Sequence, residues 1–553
     1  MKVEKLNFKA GPSEHVDPLT IHPGRVTIFI GPNNGGKSRV LKEIQEAISP
    51  ITGYKNYVLK SSEISPITDR EFEQRIKELI RPKKEGENAS DGTVAFEGKG
   101  GRQIVHLSLL AQGRKSGADV SERQYLAQHF LRYFYIDLNG HDRLGLANPV
   151  QIEPVGSTPT NTVSAIWQND KARESLSKIV HKAFGQYLVI DPTKAPQLGY
   201  KLSLLPPDNN VEKRFDIEAA SFFENAMALS DASDGTRAFV GLLGEIMVGD
   251  PDIIFVDELE AFLHPSLQFL LGQQIASQTS TSKQVFAATH SSAFLLGCVL
   301  SGHEVDVIRL THKSGAATAR HLGWKKLSKL MTDPLFRSIG ASTALFYEGA
   351  VIVEGDSDRA FYDEINTRMT RFSQTGMNHV IFLNAHNKQT VVNIASPLRE
   401  IGVPSAFILD IDWVKEDGQV WDRFFKAAGA PVGLKDSMAA ARRTVRSYLE
   451  KASKNYKRDG GVSLLKQDEL ETANAFFDQM EEYGLFTVRS GELESWLSFL
   501  NVDRSKSKWL VSVFDAMGSD PSQPSYLKPA ADDVWSFMGR VAKWVYDSSR
   551  KGM

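Results

Sequence analysis

Cysteine is almost missing from this chain of 553 residues, which has Cys298 alone. That excludes an intrachain disulfide and any cysteine-rich zinc site, and the apolar setting LLGCVL predicts a buried thiol without redox chemistry. Long apolar runs are missing too, so no membrane span is expected. Charge of one sign does not dominate: 65 Lys and Arg face 67 Asp and Glu, a net charge of -2. This balance speaks against a globally basic nucleic-acid binder, although acidic catalytic residues can mask a local basic surface. The opening MKVEKLNFKAG has scattered charges and no apolar core followed by a small-residue cleavage site, so a cytosolic location is expected. No internal repeat is present.

The length exceeds what one hydrophobic core holds and predicts two or three domains, with 41% hydrophobic and 24% charged residues, as in ordinary globular chains. Val26 to Ile30 (VTIFI) reads as a strand that runs into a glycine-rich turn, and the spacing of Val40, Leu41, Ile44 and Ile48 predicts a helix after it. Ser61 to Gly140 is largely polar and reads as an elaboration with a mobile loop. Further strands are predicted at Ile253–Val256 and Val285–Ala288, each ending at polar residues, where active sites of open α/β sheets sit. A second α/β unit begins near Ala344, with strands at Val351–Val353, Ile381–Leu383 and Phe407–Leu409. These features predict domains at 1–343 and 344–553. Lys415 to Gln479 reads as a helical insertion, and ELESWL as a closing helix.

Gly31-Pro-Asn33-Asn34-Gly35-Gly36-Lys37-Ser38 has P-loop spacing between a strand and a helix. Its glycines let backbone N–H groups turn inward onto phosphate oxygens, Lys37 is placed for the β- and γ-phosphates, and Ser38 for a magnesium ion. IIFV followed by Asp257 and Glu258 is the complementary element, with Asp257 for the metal and Glu258 for the attacking water. Taken alone, that run is equally a strand leaving a core. Ser233-Asp-Gly235-Thr-Arg lies at the entry to a helix, and Thr289-His290-Ser291 follows the next strand. In isolation these are a helix cap and a core histidine.

In this order the four elements resemble ABC-type ATPases of the SMC/RecF branch. The resemblance implies that Ser233 and Gly235 grip the γ-phosphate of ATP held by a second protomer, that His290 senses the phosphate in its own, and that two chains share each site. The Leu263-His264-Pro265 tail also looks like the OLD (overcoming lysogenisation defect) family, in which an ATPase of this type is joined to a second catalytic domain. Leu259 stands where the pattern has proline, which changes backbone stiffness and leaves the carboxylates in place.

A second set of carboxylates follows. Val351–Val353 leads into Glu354-Gly-Asp-Ser-Asp358, and Phe407–Leu409 into Asp410-Ile-Asp412. Strand alternation is expected to project Asp410 and Asp412 to one side, where they share hard, oxygen-preferring cations. Each acidic turn alone is an ordinary loop; together they resemble the TOPRIM domain. An ABC-type ATPase followed by TOPRIM is similar to the OLD (overcoming lysogenisation defect) family of nucleases, which includes effector subunits of anti-phage systems such as Gabija. That resemblance implies an α/β fold throughout: a P-loop ATPase domain with helical elaborations, then a TOPRIM domain with a helical insertion. It also implies ATP and Mg2+ or Mn2+ as cofactors, metal ligation by Ser38, Asp257, Glu354, Asp358, Asp410, Asp412 and Glu494, and a site lysine. Lys528 is the expected lysine, with Lys506 and Lys508 as competitors.

The implied activity is ATPase-regulated, metal-dependent cleavage of DNA by a homodimer or larger homo-oligomer, in phage defence and with a dedicated partner. Two alternatives stay open: a RecF-like repair ATPase whose TOPRIM-like domain only binds DNA, and a ribonuclease acting on RNA such as tRNA. The basic stretch Arg442 to Arg458, which carries two tyrosines, reads either as a phosphate-backbone track or as a solvated helix face.

Overall fold

The computed structural model describes every residue except 13–15, 51–53, 88–89, 99–100, 116, 141, 154–158, 209, 250 and 314–315. The chain forms two compact units, Met1–Lys329 and Leu330–Met553. The break comes ahead of the Ala344 start expected from the sequence.

The first unit is built on a six-stranded sheet in the order Ala316–Leu322, Asp306–Lys313, Val26–Ile30, Gln284–Ala288, Ile253–Val256, Tyr135–Leu138. All pairings are parallel except the outer Asp306–Lys313/Ala316–Leu322 pair. Ile253 to Val256 have no exposed surface, which explains a continuous apolar run in place of an alternating one. Each such side chain contributes about 1.5–3 kcal/mol by leaving water. The helix Lys37–Ile48 buries Val40, Leu41, Ile44 and Ile48 against this sheet.

The polar stretch from Ser61 to Gly140 is more ordered than its composition suggests. Thr68 and Glu71 form a reciprocal capping box at the start of the helix Asp69–Leu79. Ile80–Arg81, Thr93–Gly98 and Gly101–His106 form a small antiparallel sheet. Tyr135–Leu138 then joins the main sheet as its edge strand. Residues 88–89, 99–100 and 116 of this stretch, in which a mobile loop is expected, lie outside the described residues.

The second unit holds a four-stranded parallel sheet in the order Val380–Asn384, Gly349–Val353, Ser405–Asp410, Leu485–Val488. The chain crosses from one side of Gly349–Val353 to the other, so the carboxyl ends of Gly349–Val353 and Ser405–Asp410 flank the point where strand order reverses, the usual place for a ligand crevice. The expected helical insertion is present, with Gly418–Ala428, Lys435–Ala452 and Gln467–Glu481 as its main helices. Two expectations need correction. The insertion leads into the strand Leu485–Val488, which the sequence reading omitted, and ELESWL forms only a short 3-10 turn at Leu493–Ser495. Among the described residues no helix is long and apolar enough to cross a membrane. Cys298 is buried, and burial raises its thiol pKa far above the ordinary value.

Candidate functional site

In the first unit, the three central strands deliver their following residues to one edge of the sheet. Val26–Ile30 runs into the loop from Gly31 to Gly36, where Gly31, Asn34 and Gly36 take φ of 135°, 62° and 93°. A Cβ on Gly31 would come 2.0 Å from the Leu310 carbonyl oxygen, so this turn requires glycine there. Lys37 is buried, and its Nζ donates to the carbonyls of Gly31 (3.0 Å) and Pro32 (2.8 Å). Burial brings its pKa down to about 8, while Glu260 and Asp257 oppose the fall. Ser38 Oγ donates to Asp257 Oδ1 at 3.0 Å across the sheet edge. Ser38 and Asp257 are thus positioned to ligate one cation, beside Lys37 and a glycine loop of the kind that takes a polyphosphate, in which the Gly35 N–H donates to the Pro32 carbonyl at 3.1 Å. The donors present fit a magnesium nucleotide.

Glu258 follows at φ 52° and is exposed. Two residues that the sequence reading missed organise this turn. Arg143, with no exposed surface, donates to the carbonyl oxygens of Asp257 (3.3 Å), Glu258 (2.9 Å) and Leu259 (3.3 Å). A lone arginine in the one-turn helix Asp142–Gly145 carries no sequence signal for such a clamp. Glu260 accepts from the His290 backbone N–H at 2.7 Å and from Thr289 Oγ1 at 2.5 Å, which fixes the loop that carries His290. Burial, and then the Lys37 charge, hold the His290 imidazole below its usual pKa, so it is neutral at pH 7. Ser233 is the exposed N-cap of the helix Asp234–Val248, where its Oγ accepts from the Thr236 N–H. Gly235 packs against the segment after Asp257 so closely that a Cβ would lie 2.5 Å from the Phe262 carbonyl oxygen.

In the second unit Glu354, Asp410 and Asp412 converge, each with a carboxylate oxygen within 4.8 Å of the others. Glu354 Oε1 accepts from the Asp410 backbone N–H at 3.0 Å. The strand ends at Asp410, and Asp412 sits in a 3-10 turn, Ile411–Lys415. The turn brings the two aspartates together, in place of the strand alternation expected. Trp413 holds that turn: it is fully buried, donates from Nε1 to Thr487 Oγ1 at 2.9 Å, and stacks on Trp421 and Phe476.

Burial and the nearby Asp410 charge push Glu354 up to about 8, and the same two causes push Asp358 up to about 7. Burial also raises Asp410. Asp358 lies in the first turn of the helix Asp356–Phe372, and the buried Glu494 in the Leu493–Ser495 turn. Both lie outside the converging trio, although the charge of Glu494 adds to the upward shifts of Asp358 and Asp410. Asp410 Oδ1 is buried with no hydrogen-bond partner. A buried carboxylate oxygen left unpaired is costly unless a cation uses it. This donor set fits a hard divalent metal, which can supply an activated water and stabilise a leaving oxygen.

The lysine assignment needs correction. Lys528 Nζ lies 5.6 Å from the ring of Phe372, the last residue of a helix whose first turn carries Asp358. Fourteen helical residues separate Asp358 from Phe372, about 21 Å along the axis, so Lys528 is remote from the carboxylates. Lys508 is exposed, and the side chain of Lys506 lies outside the described residues. The lysines at the cluster are Lys457, 2.7 Å from Asp410 and 3.4 Å from Asp412, and Lys388, 3.2 Å from Asp412. Lys457 belongs to the basic stretch read as a track or a solvated face. That stretch is neither throughout, since Arg442 is buried and bonded to the Val414 carbonyl, and Arg446 pairs with Asp417 and Glu450.

Comparison with known proteins follows the same division. Residues 145–296 match the family model described as AAA domain, putative AbiEii toxin, Type IV TA system. Residues 345–412 match the overcoming lysogenization defect protein-like TOPRIM domain. The chain is similar to the Old nuclease of Escherichia phage P2, 23% identical over 269 residues, a match spanning 44% of this chain and 43% of that protein. Similar solved structures include an SMC head bound to the C-winged helix domain of ScpA, at 14% identity and TM-score 0.34, covering 59% of this chain and 100% of that one. The SMC head domain from Thermotoga maritima is another, at 12% identity and TM-score 0.30, covering 58% and 99%. With an AAA-type ATPase domain followed by an OLD-like TOPRIM domain in a single polypeptide, the chain matches the ATPase–TOPRIM fusion of the OLD family.

Proposed function

We propose that this protein is an ATPase-regulated endonuclease that cleaves DNA with Mg2+ or Mn2+, in the cytosol and in defence against phage. The observation that carries the reading is the trio Glu354, Asp410 and Asp412, gathered at the reversal point of a parallel sheet with one buried carboxylate oxygen unpaired. Phosphodiester hydrolysis is downhill and needs a metal-activated water, so ATP has no chemical energy to supply to the cut. Its turnover at Lys37, Asp257 and Glu258 acts as a control on assembly or access. Ser233, exposed at a helix N-terminus, is the group offered to the nucleotide of a second copy, and the working unit is a homodimer or larger assembly.

Purified protein incubated with plasmid DNA and with tRNA, in Mg2+ or Mn2+ and with or without ATP, tests substrate and regulation together. Metal-dependent cutting of the plasmid, altered by ATP, is expected. Cutting of tRNA alone identifies a ribonuclease, and no cutting of either leaves a DNA-binding ATPase.

A further inference from the structure

Two cations from separate elements close over the aspartates of the second unit. Lys457 comes from the short Tyr456–Asp459 helix of the insertion, and Lys388 is the first residue of the helix Lys388–Glu400. Their anchoring differs. Lys388 Nζ is nearer to Glu416 Oε1, at 2.9 Å, than to Asp412 Oδ2, at 3.2 Å, so it keeps a partner of its own if Asp412 is taken up by a metal. Among the described residues, Lys457 pairs only with Asp410 and Asp412. Its backbone packs closely on Gly491, where a Cβ would come 2.0 Å from the Lys457 carbonyl oxygen, while the side chain is a flexible four-carbon stem.

Lys457 also walls a cavity of about 220 Å³ beside the cluster, shared with Arg458, Arg504, Glu492 and Glu494. Arg504 is exposed and has no ion pair among the described residues, and Arg458 Nε is 4.0 Å from Glu492. Three cations thus stand around a hollow that opens next to carboxylates suited to metal. A divalent cation at Asp410 and Asp412 repels the ammonium that occupies their oxygens, and the hollow is the adjoining place where that ammonium meets an anion.

We propose that Lys457 has two working positions. Without metal it neutralises Asp410 and Asp412; with metal bound it turns into the cavity and, with Arg458 and Arg504, holds a backbone phosphate of the nucleic-acid strand next to the cleaved bond. This rests on reading the carboxylates as the metal site of a nuclease. It draws the phosphate subsite from the helical insertion and from the segment after the strand Leu485–Val488, both beyond the matched TOPRIM segment 345–412.

Calorimetric titration with Mn2+ in the absence of nucleic acid, followed by binding of a short labelled DNA oligonucleotide in Ca2+, tests this on the full chain. Removing a competing charge with Lys457→Gln should tighten Mn2+ binding about tenfold and weaken oligonucleotide binding about tenfold. Lys457→Arg should stay close to wild type in both. Arg458→Gln/Arg504→Gln should keep the Mn2+ affinity and lose oligonucleotide affinity. A lysine that merely braces the fold predicts the reverse for metal, weaker binding in Lys457→Gln as the carboxylates spread apart. Unchanged or weaker Mn2+ binding in Lys457→Gln, or in Lys457→Met should the glutamine variant melt early, overturns the proposal. Asp410→Asn/Asp412→Asn separates the two failures: if it binds Mn2+ as wild type does, the metal-site reading itself is wrong and the two-position lysine falls with it.

Discussion

Arg143 and Glu354 show how burial decides what a charged residue does here. Arg143 spends its guanidinium on four backbone carbonyls, those of Asn139, Asp257, Glu258 and Leu259, and so holds Glu258 in the left-handed region at φ 52°. A non-glycine residue there costs on the order of 1 kcal/mol or more, which the surroundings must supply. Arg143→Ala should let the turn relax and lower the ATP turnover number about 10- to 100-fold, because a catalytic carboxylate displaced by about 1 Å loses that much. Nucleotide affinity, which the proposed function assigns to Lys37 and its loop, should change little; single-turnover hydrolysis beside fluorescent-nucleotide binding reads both. Glu354 carries the opposite burden, a carboxyl pushed up to about 8 by burial and by Asp410. A raised folded pKa stabilises the metal-free fold below the ordinary carboxyl range, and that stability is lost as pH rises toward 8. In chelator, the melting temperature of wild type should therefore fall more between pH 5 and 8 than that of Glu354→Gln. Parallel pH profiles for the two proteins would contradict this assignment.

Whole elements were legible where one period dominated. VTIFI, IIFV, VFAA and the strands of the second unit are continuous apolar runs because both faces of a parallel sheet are covered, and the structure places strands at each. Leu485–Val488 escaped because four residues between Gly484 and Gly491 follow a long helical stretch and carry too little pattern to stand out. The approach of Asp410 to Asp412 was expected for the wrong reason, since the strand ends between them and a 3-10 turn closes the gap. Trp413 locks that turn between Thr487 and the insertion helices. Trp413→Ala should cost about 3–5 kcal/mol and scatter the aspartates, whereas Trp413→Phe should keep most of the packing. Denaturant unfolding measures the first effect and Mn2+ titration the second; a stable alanine variant with full metal affinity would show that the tryptophan does not hold the turn.

At the scale of the molecule, chain order placed the ATPase and TOPRIM elements correctly, while distance in sequence misled about the site lysine. Lys528 had suitable spacing after Glu494, but the fold carries it to the far end of the Asp356–Phe372 helix, and Lys457 reaches the carboxylates from inside an insertion that looked like surface charge. The shared nucleotide site proposed above would be a property of more than one copy. Lys37→Ala and Ser233→Arg, each inactive alone, should recover part of the ATP turnover when mixed, since some mixed pairs retain one intact site; no recovery in a demonstrated mixed dimer would contradict sharing. One chain is proposed to carry two separable chemistries. The most direct test measures nucleic-acid cleavage and ATP turnover side by side in Asp410→Ala/Asp412→Ala and in Lys37→Ala. The double-aspartate variant should lose cleavage by about a thousandfold or more and keep ATP turnover, while Lys37→Ala should lose ATP turnover and keep metal binding. A folded double-aspartate variant that still cuts at the wild-type rate in excess metal would show that these carboxylates do not hold the catalytic metal.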